Sequence, residues 1–131
     1  MIASTTSETI LVVDDHESLC EMMEVILGRC GYHVLTATNG DDALQLARKM
    51  PKIDLLVTDI EMPGMQGGEL AMRLAVLHPA AQVVFVSSTA APPMKTPTEF
   101  LTKPFSVADL RDAARRALSK RPELGEAAHA S

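Results

Sequence analysis

Asp14 and Asp15 stand directly after the apolar run Ile10 to Val13, and Thr58 and Asp59 directly after Ile53 to Val57. Ser87 closes the run Val83 to Val86, and Lys103 follows Glu99 to Thr102. In an open parallel sheet, ligands bind beyond the carboxyl ends of the strands, so these residues would converge on one edge. Three carboxylates brought that close repel one another, and a shared divalent cation is the usual remedy. Oxygen donors without a Cys or His ligand favour Mg2+, which takes only one or two protein carboxylates and keeps several waters. A Lys and a Ser beside such an ion are donors suited to phosphoryl oxygens. The chemistry expected is phosphoryl transfer to a carboxylate, or phosphate binding by it.

Each residue also has an ordinary reading. An Asp after a strand often does no more than cap the next helix. Ser87 is equally a strand end, and His16 reads as a solvent-exposed loop residue. Met22 and Met23 read as core fill, and Phe100 as a half-buried strand residue. The weight lies in Asp14, Asp15, Asp59 and Lys103 occurring together at strand ends.

The elements that must position these residues are legible as changes of period. The apolar runs, with a weaker one at Val34 to Ala37, lack polar alternation, as do strands covered on both faces of a parallel sheet. Between them apolar residues recur at helical spacing. Leu19, Met22, Met23, Ile26, Leu27 and Cys30 form one stripe, with Ser18 and Glu21 as an expected capping box and Gly31 as the stop. Further helices are expected at Asp41 to Met50, at Glu69 to Leu77, and from Ser106 to Lys120 with Ser106 and Asp109 as the cap. Alternation of this kind gives right-handed βαβ crossovers and an open α/β sheet with helices on both faces. One connection breaks the rhythm: Ser88 to Thr98 holds Pro92, Pro93 and Pro97, so it reads as an irregular loop where a helix would be expected.

The 131 residues suit one domain, large enough to bury a core without disulfides or metal. Residues 1–7 and 122–131 read as flexible tails around a domain at 8–121. Cys20 and Cys30 share one helical pattern at a separation of roughly 15 Å, too far for a disulfide, and both read as packing residues. Seventeen acids against twelve bases give a net charge of -5, the wrong sign for a general nucleic-acid binder. The acids concentrate before residue 67, whereas the last helix is basic through Arg111, Arg115, Arg116, Lys120 and Arg121. No apolar run approaches a membrane span and no secretion signal opens the chain, so a cytoplasmic location without membrane or nucleic-acid partners is expected.

At the residues that carry this chemistry the sequence resembles the receiver domain of bacterial two-component response regulators. The matching pieces are Ile10-Leu11-Val12-Val13-Asp14-Asp15, the stretch Leu56-Val57-Thr58-Asp59-Ile60-Glu61-Met62-Pro63-Gly64-Met65-Gln66-Gly67, and Phe100-Leu101-Thr102-Lys103-Pro104-Phe105. The resemblance covers roughly residues 8 to 120. It implies a flavodoxin-like, doubly wound five-stranded parallel sheet of order 2-1-3-4-5. Asp59 would be the phosphoacceptor, attacking a phosphohistidine of a sensor histidine kinase or a histidine phosphotransfer protein. Asp15, Asp59 and the backbone carbonyl of Glu61 would hold Mg2+, with Asp14 acting through its hydration shell. Lys103 would neutralise a phosphoryl oxygen and precede Pro104 through a cis bond. Ser87 would hydrogen-bond the phosphoryl group and Phe100 would turn inward with it, signalling to a downstream protein target that the sequence does not name. Such a protein is not an enzyme in the ordinary sense, although it assists its own phosphorylation and dephosphorylation.

Against this family's pattern, the helix before the strand carrying Phe100 is expected to be missing or shortened, leaving residues 89 to 98 mobile. No effector region follows the last helix, which suggests a stand-alone receiver. Two other readings compete. A receiver-like docking module would never be phosphorylated. An aspartate-based phosphatase of the haloacid dehalogenase type uses Asp, Mg2+ and Lys on a similar fold, but places Asp-x-Asp after the first strand.

Overall fold

In the computed structural model, residues 7–88 and 99–120 are described. The expected tails, Ser7 apart, and the expected mobile loop at 89–98 lie outside them, as does Arg121. Five strands and four helices are found among the described residues: β1 (Thr9–Val13), α1 (Glu17–Arg29), β2 (His33–Ala37), α2 (Gly40–Lys49), β3 (Leu55–Asp59), α3 (Gly67–Leu77), β4 (Gln82–Ser87), β5 (Glu99–Thr102) and α4 (Val107–Ser119). All strand pairs are parallel, in the order β2-β1-β3-β4-β5. This is the doubly wound α/β sheet expected from the sequence.

Why the strands read as unbroken apolar runs is plain from the two cores. Ile10 and Val12 of β1 face one side with Leu55, Val57, Val84, Val86 and Leu101, under α1 and α4. Leu11 and Val13 face the other with Leu56 and Phe85, under α2 and α3. Alternate residues enter opposite cores, so neither parity can be polar. Each large aliphatic side chain so buried contributes about 1.5–3 kcal/mol.

The polar interruption at Asp54 has a structural cause. The strand begins at Leu55 rather than Ile53, and Asp54 sits just before it at the amino edge, where its Oδ2 accepts the Thr9 amide at 2.8 Å. Thr58 and Asp59, expected after the strand, are its last two residues.

Helix ends follow local chemistry in some cases and tertiary contacts in others. The Ser106 hydroxyl accepts the Asp109 amide at 3.0 Å while Asp109 accepts the Ser106 amide at 3.1 Å, completing the expected capping box. Ser106→Ala is expected to lower stability by about 1 kcal/mol, read as a shifted midpoint in urea unfolding; an unchanged midpoint contradicts this role. At the end of α1, Gly31 adopts φ 97°, and the amides of Gly31 and Tyr32 donate to the carbonyls of Gly28 and Leu27, the pattern that closes a helix on a left-handed residue. The capping box expected at Ser18 and Glu21 is not formed. Helix α1 starts at Glu17 with His16 at the cap position, because the buried Asp14 carboxylate takes the His16 amide at 2.9 Å and turns the chain two residues earlier.

The stripe on α1 is also narrower than its composition suggests. Cys20, Met23, Ile26 and Leu27 are buried, whereas Met22 is 42% exposed and Cys30 is exposed, so neither of these two fills the core. Both cysteines are free. Cys20 donates to the Asp14 carbonyl at 3.2 Å, and burial pushes its thiol up to about 11. Ser7, assigned to the tail, donates to the Gly31 carbonyl at 2.8 Å. Among the described residues no helix is long and apolar enough to cross a membrane.

Candidate functional site

The carboxyl edge of the sheet gathers the expected residues through strand register. Asp14 leaves β1, Asp59 and Ser87 end β3 and β4, and Lys103 follows β5. Backbone hydrogen bonds carry the sheet past its formal end: Ile60 donates to Val86 at 3.0 Å and Lys103 to Ser87 at 2.8 Å. The loops that bear the chemistry are thereby fixed to the strands. The Lys103-Pro104 peptide is cis.

Lys103 Nζ is the hub. It lies 3.1 Å from Asp14 Oδ2 and 3.7 Å from Asp59 Oδ2. Asp14 is fully buried, and Asp59 and Ser87 are buried with it, while Asp15 remains exposed at the rim. Thr58 donates its hydroxyl to the Asp59 carbonyl at 3.0 Å, which occupies the one hydroxyl adjacent to the candidate nucleophile in sequence. Glu61 comes next along the loop with an exposed side chain. Phe100 is half-buried on the α2/α3 side of the sheet, in register with Phe85, and is not in the charged cluster.

One ammonium reaches two carboxylates while Asp15 stands at the rim, and the imbalance shows in Asp59. Burial raises its pKa above the ordinary carboxylate value; Lys103 opposes that, Asp14 and Asp15 add to it, and a backbone hydrogen bond with Glu61 lowers it. The residual negative charge on Asp14, Asp15 and Asp59 suits a divalent cation, and Asp14 and Asp15 bring carboxylate oxygens within 4.8 Å of each other.

His16, set aside on sequence as an exposed loop residue, is exposed but not idle. Its Nδ1 lies 3.1 Å from Asp14 Oδ1 and 3.4 Å from Asp15 Oδ1. One Asp14 oxygen, one Asp15 oxygen and one His16 nitrogen all fall within 4.8 Å of one another. The sequence signal was adjacency alone, His directly after two Asp residues.

Close packing behind Asp59 requires glycine at position 67. The backbone of Gly67, first residue of α3, packs onto that of Asp59 and Ile60. Its amide donates to the Ile60 carbonyl at 2.8 Å, and a Cβ there would collide with the Asp59 carbonyl oxygen.

Comparison with known proteins agrees with this geometry. The profile of the response regulator receiver domain matches residues 10–115. The response regulator receiver protein CpdR from Brucella abortus is 35% identical over 107 residues, covering 77% of this chain and 88% of that protein. Sporulation initiation phosphotransferase F from Bacillus subtilis is 29% identical over 118 residues, covering 86% and 94%. Other relatives are longer: the chain spans 28% of the response regulator protein PilR from Pseudomonas aeruginosa, at 33% identity over 89% of its own length. The crystal structure of a response regulator receiver protein from Sinorhizobium medicae superposes with a TM-score of 0.79 at 28% identity, covering 88% of this chain and 98% of that one.

Proposed function

Since the chain belongs to the response regulator receiver domain family of two-component phosphorelay systems, we propose that Asp59 accepts a phosphoryl group from a partner phosphohistidine. The observation that carries this reading is the reach of Lys103 to Asp14 and Asp59 at the carboxyl edge of the sheet. Transfer of this kind asks the protein mainly for position and charge neutralisation. An Asp59 carboxylate oxygen attacks phosphorus and the bond to the partner's imidazole nitrogen breaks, the imidazole leaving with the bonding pair. The product is an acyl phosphate on Asp59.

The surrounding residues divide the work. Lys103 would turn from Asp59 to a phosphoryl oxygen, and Ser87 at the end of β4 would donate its hydroxyl to another. Asp14 holds Lys103 in place before and after the transfer. Asp15, Asp59 and the Glu61 carbonyl would hold Mg2+, which supplies charge neutralisation to the phosphoryl oxygens. Output would come from Ser87 and Phe100: Phe100 lies one strand position from Leu101, which registers with Val86, and a shift of its ring would alter the surface beside β5. The partners in this reading are a sensor histidine kinase or histidine phosphotransfer protein and a downstream protein. The chain would act in the cytoplasm as a signalling protein, with chemistry confined to its own phosphorylation and dephosphorylation.

Incubation with a small acyl phosphate and Mg2+, with intact mass and peptide mapping as the readout, tests this. A single phosphoryl adduct on the Asp59 peptide is expected, and none in the presence of a chelator. An adduct mapped elsewhere overturns the assignment of Asp59. No adduct under any condition favours a docking module that is never phosphorylated, and turnover of a small phosphate ester supplied in place of the acyl phosphate favours a phosphatase.

A further inference from the structure

Among the described residues β2 has a strand on one side only, β1, and its outer edge runs between two helices. We infer that this edge is a docking site for an extended peptide with basic residues at alternate positions, added to the sheet as a further strand. The inference goes beyond the phosphoacceptor reading and does not depend on it. In the order β2-β1-β3-β4-β5 the edge lies on the opposite side of the sheet from β5, which leads to Lys103.

The backbone sets the mode of binding. Register pairs Thr9 with His33 and Val13 with Ala37. The His33 amide donates to the Glu8 carbonyl at 2.9 Å, and the Ala37 carbonyl accepts the Asp14 amide at 3.3 Å. In a parallel ladder alternate residues turn both backbone groups to the same neighbour, so His33, Leu35 and Ala37 serve β1 while Val34 and Thr36 turn theirs outward. Such a row of outward donors and acceptors is what an added peptide strand pairs with. Thr36 also lines a groove of about 470 Å3 walled by α1 and α2, a volume within the range of built ligand sites.

The walls set the chemistry. Glu17, Glu21 and Glu24 line the groove from α1 at the spacing of one helical face, and Asp42 lines it from α2. Lys49 is the one base of the lining. The three glutamates are exposed, and among the described residues none of them has an ion-pair partner. Successive side chains of an added strand point to opposite faces of the sheet, one set toward α1 and the other toward α2. The first set meets three carboxylates and suits Lys or Arg. The second meets Gln45 and Leu46 between Asp42 and Lys49, and suits small neutral side chains. A second copy of the chain does not supply that alternation, since pairing two β2 edges would set acidic walls against each other. Nor do the chain's own segments outside the described residues, whose Lys and Arg are Lys95 and Arg121 alone.

Titration of a labelled peptide of about ten residues alternating Lys and Thr into the full chain tests the inference, with anisotropy for affinity and amide hydrogen exchange by NMR for location. Exchange at Val34 and Thr36 is expected to slow on binding, with the inward amides of His33 and Leu35 as the reference. The triple variant Glu17→Gln, Glu21→Gln, Glu24→Gln should bind about tenfold more weakly, within what three exposed ion pairs supply together. Thr36→Pro should also bind more weakly with the fold kept, because an edge position whose amide faces outward tolerates proline. The same peptide N-methylated at every amide keeps its charge and cannot donate to the edge, and should lose at least about fivefold in affinity. Equal affinity of the methylated and unmethylated peptides overturns the inference, as does slowed exchange mapped to another surface or unchanged affinity in the triple variant. Absence of binding at millimolar peptide also overturns it, and leaves the acids as a guard against edge pairing.

Discussion

Asp59→Asn is expected to abolish the phosphoryl adduct completely and, at neutral pH, to make the protein harder to unfold. The first effect arises because an amide oxygen is a poor nucleophile and the other carboxylate beside Lys103 is closed to an incoming group. Asp14 is the nearest rival, but it is fully buried and its oxygens are engaged by Lys103 and by His16. The second effect is a matter of linkage. Burial first, then Asp14 and Asp15, hold the Asp59 pKa above its ordinary value, against the pull of Lys103 and the Glu61 backbone. An acid whose folded-state pKa is raised stabilises the fold while protonated; that contribution is complete below the unfolded pKa and is lost as pH rises through the folded one. At neutral pH the wild type therefore carries an ionised group that opposes folding, and Asn does not. Urea unfolding of both proteins across pH should show the variant ahead at pH 7, with the gap closing as pH falls into the ordinary carboxylate range. A wild type more stable than Asp59→Asn at neutral pH would show that the carboxylate is net favourable where it stands.

Gly67→Ala is expected to cost about 3 kcal/mol, the upper part of the range for overpacking, out of a total of about 5–15 kcal/mol for a domain. The reason is the surroundings that the new methyl group would meet. Its neighbours are the Asp59 carbonyl oxygen and carbon and the Ile60 Cα, all main chain at the end of a central strand, with no flexible side chain to yield. Either α3 moves away from β3 or the Asp59 backbone moves, and both disturb the proposed phosphoacceptor. Phosphoryl labelling should fall together with stability. Retention of wild-type stability would mean that the α3 start can shift without cost, and would remove Gly67 from the residues that hold Asp59. Gly40 offers a comparison: a Cβ there meets the Met65 side chain, which can rotate, so the same substitution should be milder.

The two-sided core and the placement of Asp14, Asp59, Ser87 and Lys103 were legible because they depend on strand periodicity and on the residue types that terminate each apolar run, whereas the strand order was legible only through the family resemblance. The Ser106 to Asp109 cap was legible for a similar reason, since both partners lie within one turn. The features that escaped depended on contacts between distant segments. Ser18 and Glu21 have the spacing of a cap, but the helix starts earlier because Asp14, pinned by Lys103 from the far end of the chain, takes the amide of His16. Met22 and Cys30 fit the apolar stripe of α1, yet packing against β2 and α4 selects the face through Cys20, Met23 and Leu27. Asp54 interrupts an apolar run because it ends outside the strand, bonded to Thr9. His16 carried no periodic signal, and its position became informative only once the oxygens of Asp14 and Asp15 were located around it.

The strand order has a further consequence for how the chain comes to be folded. Strand β1 pairs with both β2 and β3, so the elements that bring Asp14, Asp15 and Asp59 together all lie in the first half of the chain. The ammonium of that group arrives with Lys103, after β5 has added to the far edge of β4. Without β5 in place, the pocket lacks the Lys103 ammonium that lies 3.1 Å from Asp14 and 3.7 Å from Asp59. Docking of β5 thus does more than extend the sheet: electrostatic relief at the carboxyl edge rewards completion of the fold, and couples the last strand to the first across the whole length of the chain.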